Sequence, residues 1–433
     1  MIARALARVG LVTPEQRAWA WYDWANSTYF TVVITAVFPA FYGTYASADL
    51  DPAQATARFS AITTFSVAII AITAPVLGAI ADYTGLKKRL LFCFMLVGVI
   101  SCAAMAAIDR GEWQLASLLF VIGNIGVSGS LVFYDSLLPH VARPEETDRV
   151  SAAGYAMGYL AGGILLLINL AWILRPQTFG FPDAAAATKA AFVTVAVWWL
   201  IFAIPLFRKV PEPALELDPT ERPGSWITGP FRRLARTFRE IRKYKNAFLM
   251  FLAMLLYQDG IQTMIRMAGI YAAEVGIGQT AQIGAFVLVQ FIGIPFSFLF
   301  GSLGTRIGTK RAIMIALIVY TITAIVGYFM DSVVDFYILA GLVGTVQGGA
   351  QALSRALFAR LIPQNKTSEF FGFFAVAERF ATVLGPLVFW ISVTMTGSSR
   401  SAVLFIIVFF VAGGLLLSRV SENHREEREK GEK

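Results

Sequence analysis

Seven charged side chains stand where the sequence is otherwise apolar: Asp23, Asp135, Asp259 and Glu378 against Arg266, Arg355 and Arg379. Each lies in a run long enough to cross a bilayer, where an ionised group is costly without a partner, a proton or a task. Three kinds of chemistry suit such a set. Opposite charges can pair across helices and part again. A carboxyl enclosed in hydrocarbon favours its neutral form and can carry a proton. An Asp and an Arg in one wet cavity can hold the two ends of a zwitterion. Acids outnumber bases in the set, so one carboxyl is expected to be protonated for part of a working cycle. Asp259 and Glu378, both deep in their runs, are the expected proton carriers.

Helical spacing gathers polar neighbours around these charges. Tyr22, Asn26 and Tyr29 fall on one face of a first helix, with Asp23 beside them. Asn124, Ser128 and Asp135 form a second stripe, and Asp259, Gln262 and Arg266 a third. Gln347, Gln351, Ser354 and Arg355 form a fourth. Each is a polar line on an otherwise apolar helix. The candidate substrate-binding residues are therefore Tyr22, Asn26, Tyr29, Asn124, Asp259, Gln262, Arg266, Gln347, Gln351 and Arg379. Asp23, Asp135 and Arg355 sit nearer one end of their helices and are expected to gate the cavity. The competing reading of the same residues is static: polar glue and ion pairs that lock a bundle together.

The elements that must hold these residues are membrane spans. The 433 residues are 57% hydrophobic and 15% charged, with mean hydropathy +0.65. Soluble domains carry about 25% charged residues. Apolar runs predict twelve spans, near 19–46, 58–82, 89–108, 114–139, 150–173, 189–207, 246–272, 281–302, 310–330, 334–358, 369–395 and 400–418. The expected fold class is all-α, a polytopic protein of two six-helix bundles. Lys and Arg concentrate in the termini and in the connections following even-numbered spans, whereas the opposite loops hold only Arg58, Arg110, Arg175, Lys189 and Arg400. The positive-inside rule then puts both termini in the cytoplasm. The same asymmetry explains the net charge of +8 without a nucleic-acid partner.

Catalytic and cofactor chemistry find little support. The two histidines, His140 and His424, lie outside the spans, so neither a metal site nor a His-based catalytic centre is expected. Cys93 and Cys102 share one predicted helix at roughly 13 Å separation, too far for a disulfide. Gly276, Gly278 and Ala281 imitate a dinucleotide loop but follow no strand. No Walker loop is present, so direct ATP drive is not expected, and no cofactor is implied.

The chain also repeats itself. GAIADYTGLKKR at 78–89 aligns with GSLGTRIGTKRA at 301–312, and SLLP at 136–139 with RLIP at 360–363. The expected units are 1–207, a linker at 208–245, 246–420, and a charged tail at 421–433. Within the linker, basic residues over 231–243 flank an apolar face, which suggests a helix lying on anionic lipid. In the first copy of the repeat, Gly78 permits close helix approach and Gly85 suits a turn of positive φ. Lys87 and Lys88 hold the turn at the cytoplasmic face. Asp82 is placed to cap a neighbouring helix or to pair with a base. Gly78, Asp82, Gly85, Lys87 and Lys88 join Asp23, Asp135 and Arg355 as gating candidates. Thr305 replaces the acid in the second copy, so only the first is expected to form a charged latch. Gly154, Gly158, Gly162 and Gly163 give the fifth span a face on which another helix can lie close.

The segment after span two resembles the signature of the major facilitator superfamily. YDWANSTYF, VFYDSLLPHVARPEE, GYAMGYLAGG, YQDGIQTMIRMAGIYAAE, GGAQALSRALFARLIP and EFFGFFAVAERFATVLGP resemble the branch related to the autophagy-associated vacuolar effluxer. That resemblance implies spans one, four, seven and ten around a central cavity, alternating access, and export of small solutes such as amino acids. No enzymatic activity is expected, because the spans hold no His, Cys or Ser constellation. The expectation is a proton-coupled secondary transporter of a small polar solute, monomeric, in a bacterial inner membrane. Two alternatives stand beside it. One is a sugar, drug or lipid-like cargo, for which Trp19, Trp21, Trp24, Tyr29 and Tyr134 supply aromatic surfaces. The other is a membrane sensor that transports nothing.

Overall fold

The structure is a computed structural model, and it describes residues 6–7, 10–214, 244–380 and 399–421. The 231–243 segment and the charged tail lie outside the described residues, as does most of the linker. The described residues form helices joined by short turns. In chain order these are α1 (Pro14–Ala46), α2 (Pro52–Thr84), α3 (Lys87–Ala104), α4 (Trp113–Ser136), α5 (Thr147–Leu174) and α6 (Ala184–Lys209). The second set comprises α7 (Lys245–Glu274), α8 (Gln279–Ile307), α9 (Thr309–Tyr328), α10 (Val333–Leu361), α11 (Thr367–Phe380 as described) and α12 (Ser399–Ser418). Ten of the described helices are long and apolar enough to cross a membrane. Each expected span coincides with a helix over its described residues. Most helices run further than hydropathy alone suggests, because their end turns carry polar residues that can sit at a membrane surface.

Local chemistry sets the helix ends. Thr13 caps α1: its hydroxyl accepts from the Gln16 amide, while the Gln16 side chain accepts from the Thr13 amide, and Pro14 opens the helix. Gly85 ends α2 at φ +66°, the left-handed conformation that favours glycine. Lys88 donates to the carbonyls of Phe207 and Val210, closing the far end of α6. Within α1 the chain widens to π-helix at Tyr29–Val37 and again at Tyr42–Ala46. Pro39 lies between the two stretches and has no N–H to give, and the wider turns accommodate its ring.

The two halves pack by one scheme. In the first, α1 lies on α5 and α6, α4 on α2 and α3, and α3 on α6. In the second, α7 lies on α11 and α12, α10 on α8 and α9, and α9 on α12. Between halves, α2 meets α11 and α5 meets α8, the same pairing with the halves exchanged. Glycines allow the closest crossings. A Cβ on Gly126 of α4 would fall 2.4 Å from the backbone nitrogen of Gly98 on α3. Helices that approach this closely gain packing that lipid cannot supply.

Gly126→Ala is expected to cost about 1–3 kcal/mol, the usual penalty for overpacking. Gly43→Ala, whose Cβ meets nothing within 4 Å, is expected to leave stability unchanged. Thermal unfolding of the two purified variants in detergent distinguishes them.

Candidate functional site

Arg355 enters from α10 of the second half and is buried against three helices of the first. Its guanidinium lies 3.1 Å from the Asp23 carboxylate on α1 and 3.0 Å from Asp135 on α4. Its Nε donates to the Ser151 hydroxyl at 2.9 Å and Nη2 to the Ser151 carbonyl at 3.1 Å, both on α5. Ser151 in turn donates back across the interface to the Ala352 carbonyl at 2.7 Å. Aromatic rings enclose the cation: Trp19 at 4.7 Å, Tyr155 at 4.5 Å and Tyr134 at 5.7 Å from ring centroid to guanidinium carbon. Trp19 stacks on Tyr134 and donates its indole N–H to the Tyr134 carbonyl at 3.0 Å, which fixes the box. Arginine suits this role because its planar fork serves several acceptors at once and its faces accept aromatic rings.

A second contact joins the halves where α2 meets α11. The Asp82 carboxylate accepts from the backbone amides of Ser368 and Glu369, at 3.1 and 2.8 Å, in the opening turn of α11. It also pairs with Lys87 at 2.9 Å, and Lys87 donates to the Thr367 hydroxyl at 2.6 Å. A carboxylate at a helix N-terminus meets both unpaired amides and the positive end of the helix dipole. Gly78 makes the approach possible, since a Cβ there would sit 2.1 Å from the Ser368 carbonyl oxygen. The Ser368 hydroxyl donates to the Ser136 hydroxyl at 3.0 Å.

The pseudo-symmetric position, where α8 meets α5, corrects one expectation. Thr305 indeed offers no charge and only donates to the Ser302 carbonyl of its own helix. Yet this contact is charged as well. Asp148, in the first turn of α5, pairs with Arg360 of α10 at 3.1 Å and accepts from the Thr309 hydroxyl at 2.7 Å. The acid comes from the opposing helix start rather than from the repeated motif. By the alignment of SLLP with RLIP, Arg360 matches Ser136, so a serine pair on one side is an ion pair on the other.

Beyond these contacts a line of small residues rises toward mid-depth. Asp23, Ser27 and Thr31 of α1 lie against Gly154, Gly158 and Gly162 of α5, each glycine leaving the space its partner occupies. Thr31 then accepts from Gln290 of α8 at 3.0 Å, and Tyr159 of α5 donates to Gln351 of α10 at 3.4 Å. From this line of α1, Asp23 and Thr31 reach the second half, at Arg355 and Gln290. Tyr22, Asn26 and Tyr29 are placed differently from the stripe expected of them. Tyr29 packs on Trp199 of α6 and against Gly123 of α4, inside the first bundle. Tyr22 packs on Tyr134, and the Asn26 amide donates to the Tyr22 carbonyl. Asn124 likewise donates within its own helix, to Phe120. Lys88, expected at the gate, is instead held by the end of α6 and by Glu212 just after it.

In the second half, Asp259 is wholly buried, while Gln262, Gln347 and Gln351 are half-buried. The side chains of Arg266, Glu378 and Arg379 lie outside the described residues. The aromatics that left a sugar possible are engaged elsewhere. Trp19 and Tyr134 box Arg355, Trp21 stacks on Phe202, Trp24 on Trp198, and Tyr29 packs on Trp199. Ser151, Tyr155, Asp148, Arg360 and Thr309 were missed by helical spacing. The signal available for the small residues was the match of Asp23, Ser27 and Thr31 to a glycine line of the same spacing. Among the described residues no cluster of His, Cys, Asp or Glu could hold a metal.

Helices in two repeated sets, closed across one face by ion pairs between the halves, define a membrane transporter of the major facilitator fold. Solved structures share that fold. The human organic anion transporter MFSD10 (TETRAN) aligns at TM-score 0.69 and 15% identity, over 93% of this chain and 99% of its own. The transporter FucP in its outward conformation aligns at 0.69 and 14%, over 96% and 100%. The proton:xylose symporter XylE aligns at 0.68 and 14%, over 95% and 96%. The chain belongs to the family described as vacuole effluxer Atg22 like, which matches residues 13–430. It is 38% identical to the uncharacterized MFS-type transporter YxiO of Bacillus subtilis, over 95% of both chains. It is 25% identical to autophagy-related protein 22 of Yarrowia lipolytica, over 84% of this chain and 76% of the relative. Members of this carrier superfamily are not enzymes.

Removing Arg355 strands two buried carboxylates, a loss of about 3–5 kcal/mol for the closed arrangement. With spin labels on Cys at the exposed positions 143 and 306, Arg355→Gln is expected to lengthen the distance between halves. Adding Asp23→Asn and Asp135→Asn should largely restore it. Arg360→Asp should open the α5–α8 side in the same measurement, and Asp148→Arg in the same chain should close it again.

Proposed function

We propose that this protein is a secondary active carrier that exports a small polar solute by alternating access, coupled to protons. The observation that carries this reading is the Arg355 cluster. A cation from one half held by two acids of the other is a contact between rigid bodies that can form in one state and break in another. The face it closes bears the basic turns, which the positive-inside rule assigns to the cytoplasm. The arrangement then corresponds to the carrier shut toward the cytoplasm, with both termini on that side of a bacterial inner membrane. The carrier works as a monomer, since each copy holds both halves of its own cavity.

The solute is best matched by an amino acid or similar zwitterion. Asp259 and Arg266 share one helix at a spacing that places them on a common face. A sugar is less well served, because the aromatic rings that would stack on it are occupied by neighbouring side chains. The name of the fungal relatives' family, vacuole effluxer, supports export. Proton coupling has support in two fold neighbours, XylE and FucP, which are named as proton symporters. Asp259 and Glu378 are the proposed proton carriers.

The test is flux in proteoliposomes with labelled amino acids, with and without an imposed pH gradient. The gradient is expected to accelerate wild-type flux. Asp259→Asn or Glu378→Gln is expected to abolish that acceleration while leaving exchange of labelled for unlabelled solute. Gradient-driven flux at wild-type rates in both variants would overturn the proton assignment. Binding without flux would identify a sensor instead.

A further inference from the structure

A cavity of about 480 Å³ opens between the start of α1 and the end of α6, on the face that bears the basic turns. It stands apart from the contacts between halves, since both helices belong to the first. Among the described residues its wall carries three cations, Arg17, Arg208 and Lys209, and no acid. The Arg17 side chain is held in place by the carbonyls of Thr13 and Val12, at 3.1 and 3.0 Å, and among the described residues no salt bridge joins it to an acid. Arg208 and Lys209 occupy the last turn of α6 and are exposed, and no salt bridge joins either to an acid among the described residues. Trp21 and Ile204 line the same cavity and give it an apolar wall. Ile204 continues into a stripe of exposed apolar residues running up α6 through Ile201, Val197 and Val193.

Cations at a membrane surface, an aromatic ring beside them and an apolar track leading into the bilayer match one chemistry: a phosphate diester on acyl chains. We propose that this cavity binds the headgroup of an anionic phospholipid from the adjoining leaflet, the phosphate between Arg17, Arg208 and Lys209 and an acyl chain along α6. The occupant ties the opening turn of α1 to the closing turn of α6. The orientation proposed above makes that leaflet the cytoplasmic one, but the cavity and its charges do not depend on transport.

Native mass spectrometry of the full chain in detergent, titrated with phosphatidylglycerol, tests the site. Each surface cation adds roughly five-fold to anionic-lipid affinity. Arg208→Gln/Lys209→Gln, which changes two exposed side chains, is therefore expected to weaken phosphatidylglycerol binding roughly thirty-fold. Arg143→Gln/Arg306→Gln, exposed cations of the same face outside the cavity, is expected to bind like wild type. Brominated phosphatidylglycerol should quench Trp21, seen as quenching lost in Trp21→Phe, and excess inorganic phosphate should not displace the lipid. Equal binding by wild type and Arg208→Gln/Lys209→Gln would overturn the proposal. So would an equal loss in the outside variant, unchanged quenching in Trp21→Phe, or displacement by phosphate alone.

Discussion

One guanidinium between two carboxylates, away from water, governs how the halves of this protein meet. In a low-dielectric interior, charges attract more strongly than in water, but each also costs several kcal/mol to desolvate. The Arg355 arrangement offsets that cost by surrounding the cation with acceptors from three helices and with aromatic faces. The two acids need the same cation, and no single half contains the complete set. Closure of this face is therefore strongly favoured once begun and unfavourable to leave half made.

The repeat shows how one geometry can be met by two chemistries. Where α2 meets α11, the acid belongs to the repeated motif and the helix start contributes bare amides. Where α8 meets α5, the helix start contributes the acid and the motif side a hydroxyl, with Arg360 completing the pair. Both arrangements fasten the opening turn of a helix to the other half, one through its backbone amides and the other through the side chain it carries. Duplication conserved the close approach, which small residues permit, while the charges settled on either side of it.

Motion and rigidity are distributed accordingly. The lines of glycine on α5 and of small polar residues on α1 hold the first half tightly together at the level of Asp23 and above it. The first π-helical stretch of α1 begins at Tyr29 and includes Thr31, and the second follows Pro39. Widened turns have weaker hydrogen-bond geometry than an α-helix and recur at functional positions. Asp23 thus sits on the regular part of α1, and the irregular part begins at Tyr29 and runs to the other end of the helix.

The sequence by itself determined the number and order of the spans, the internal repeat, and the identity of the charges that needed partners. Hydropathy and helical periodicity are local properties, so they survive in the linear order of residues. Asp23, Asp135 and Arg355 were legible as one group because a bilayer leaves stranded charges few alternatives. Tertiary structure decided which neighbour each polar side chain faces. Tyr29 and Asp23 both belong to α1, yet one turns into its own bundle and the other toward the second half. That choice depends on the rotation of α1 against the glycines of α5. Asp148 and Arg360 were invisible as a pair for the same reason: they lie far apart in the chain and meet only because two six-helix units pack face to face.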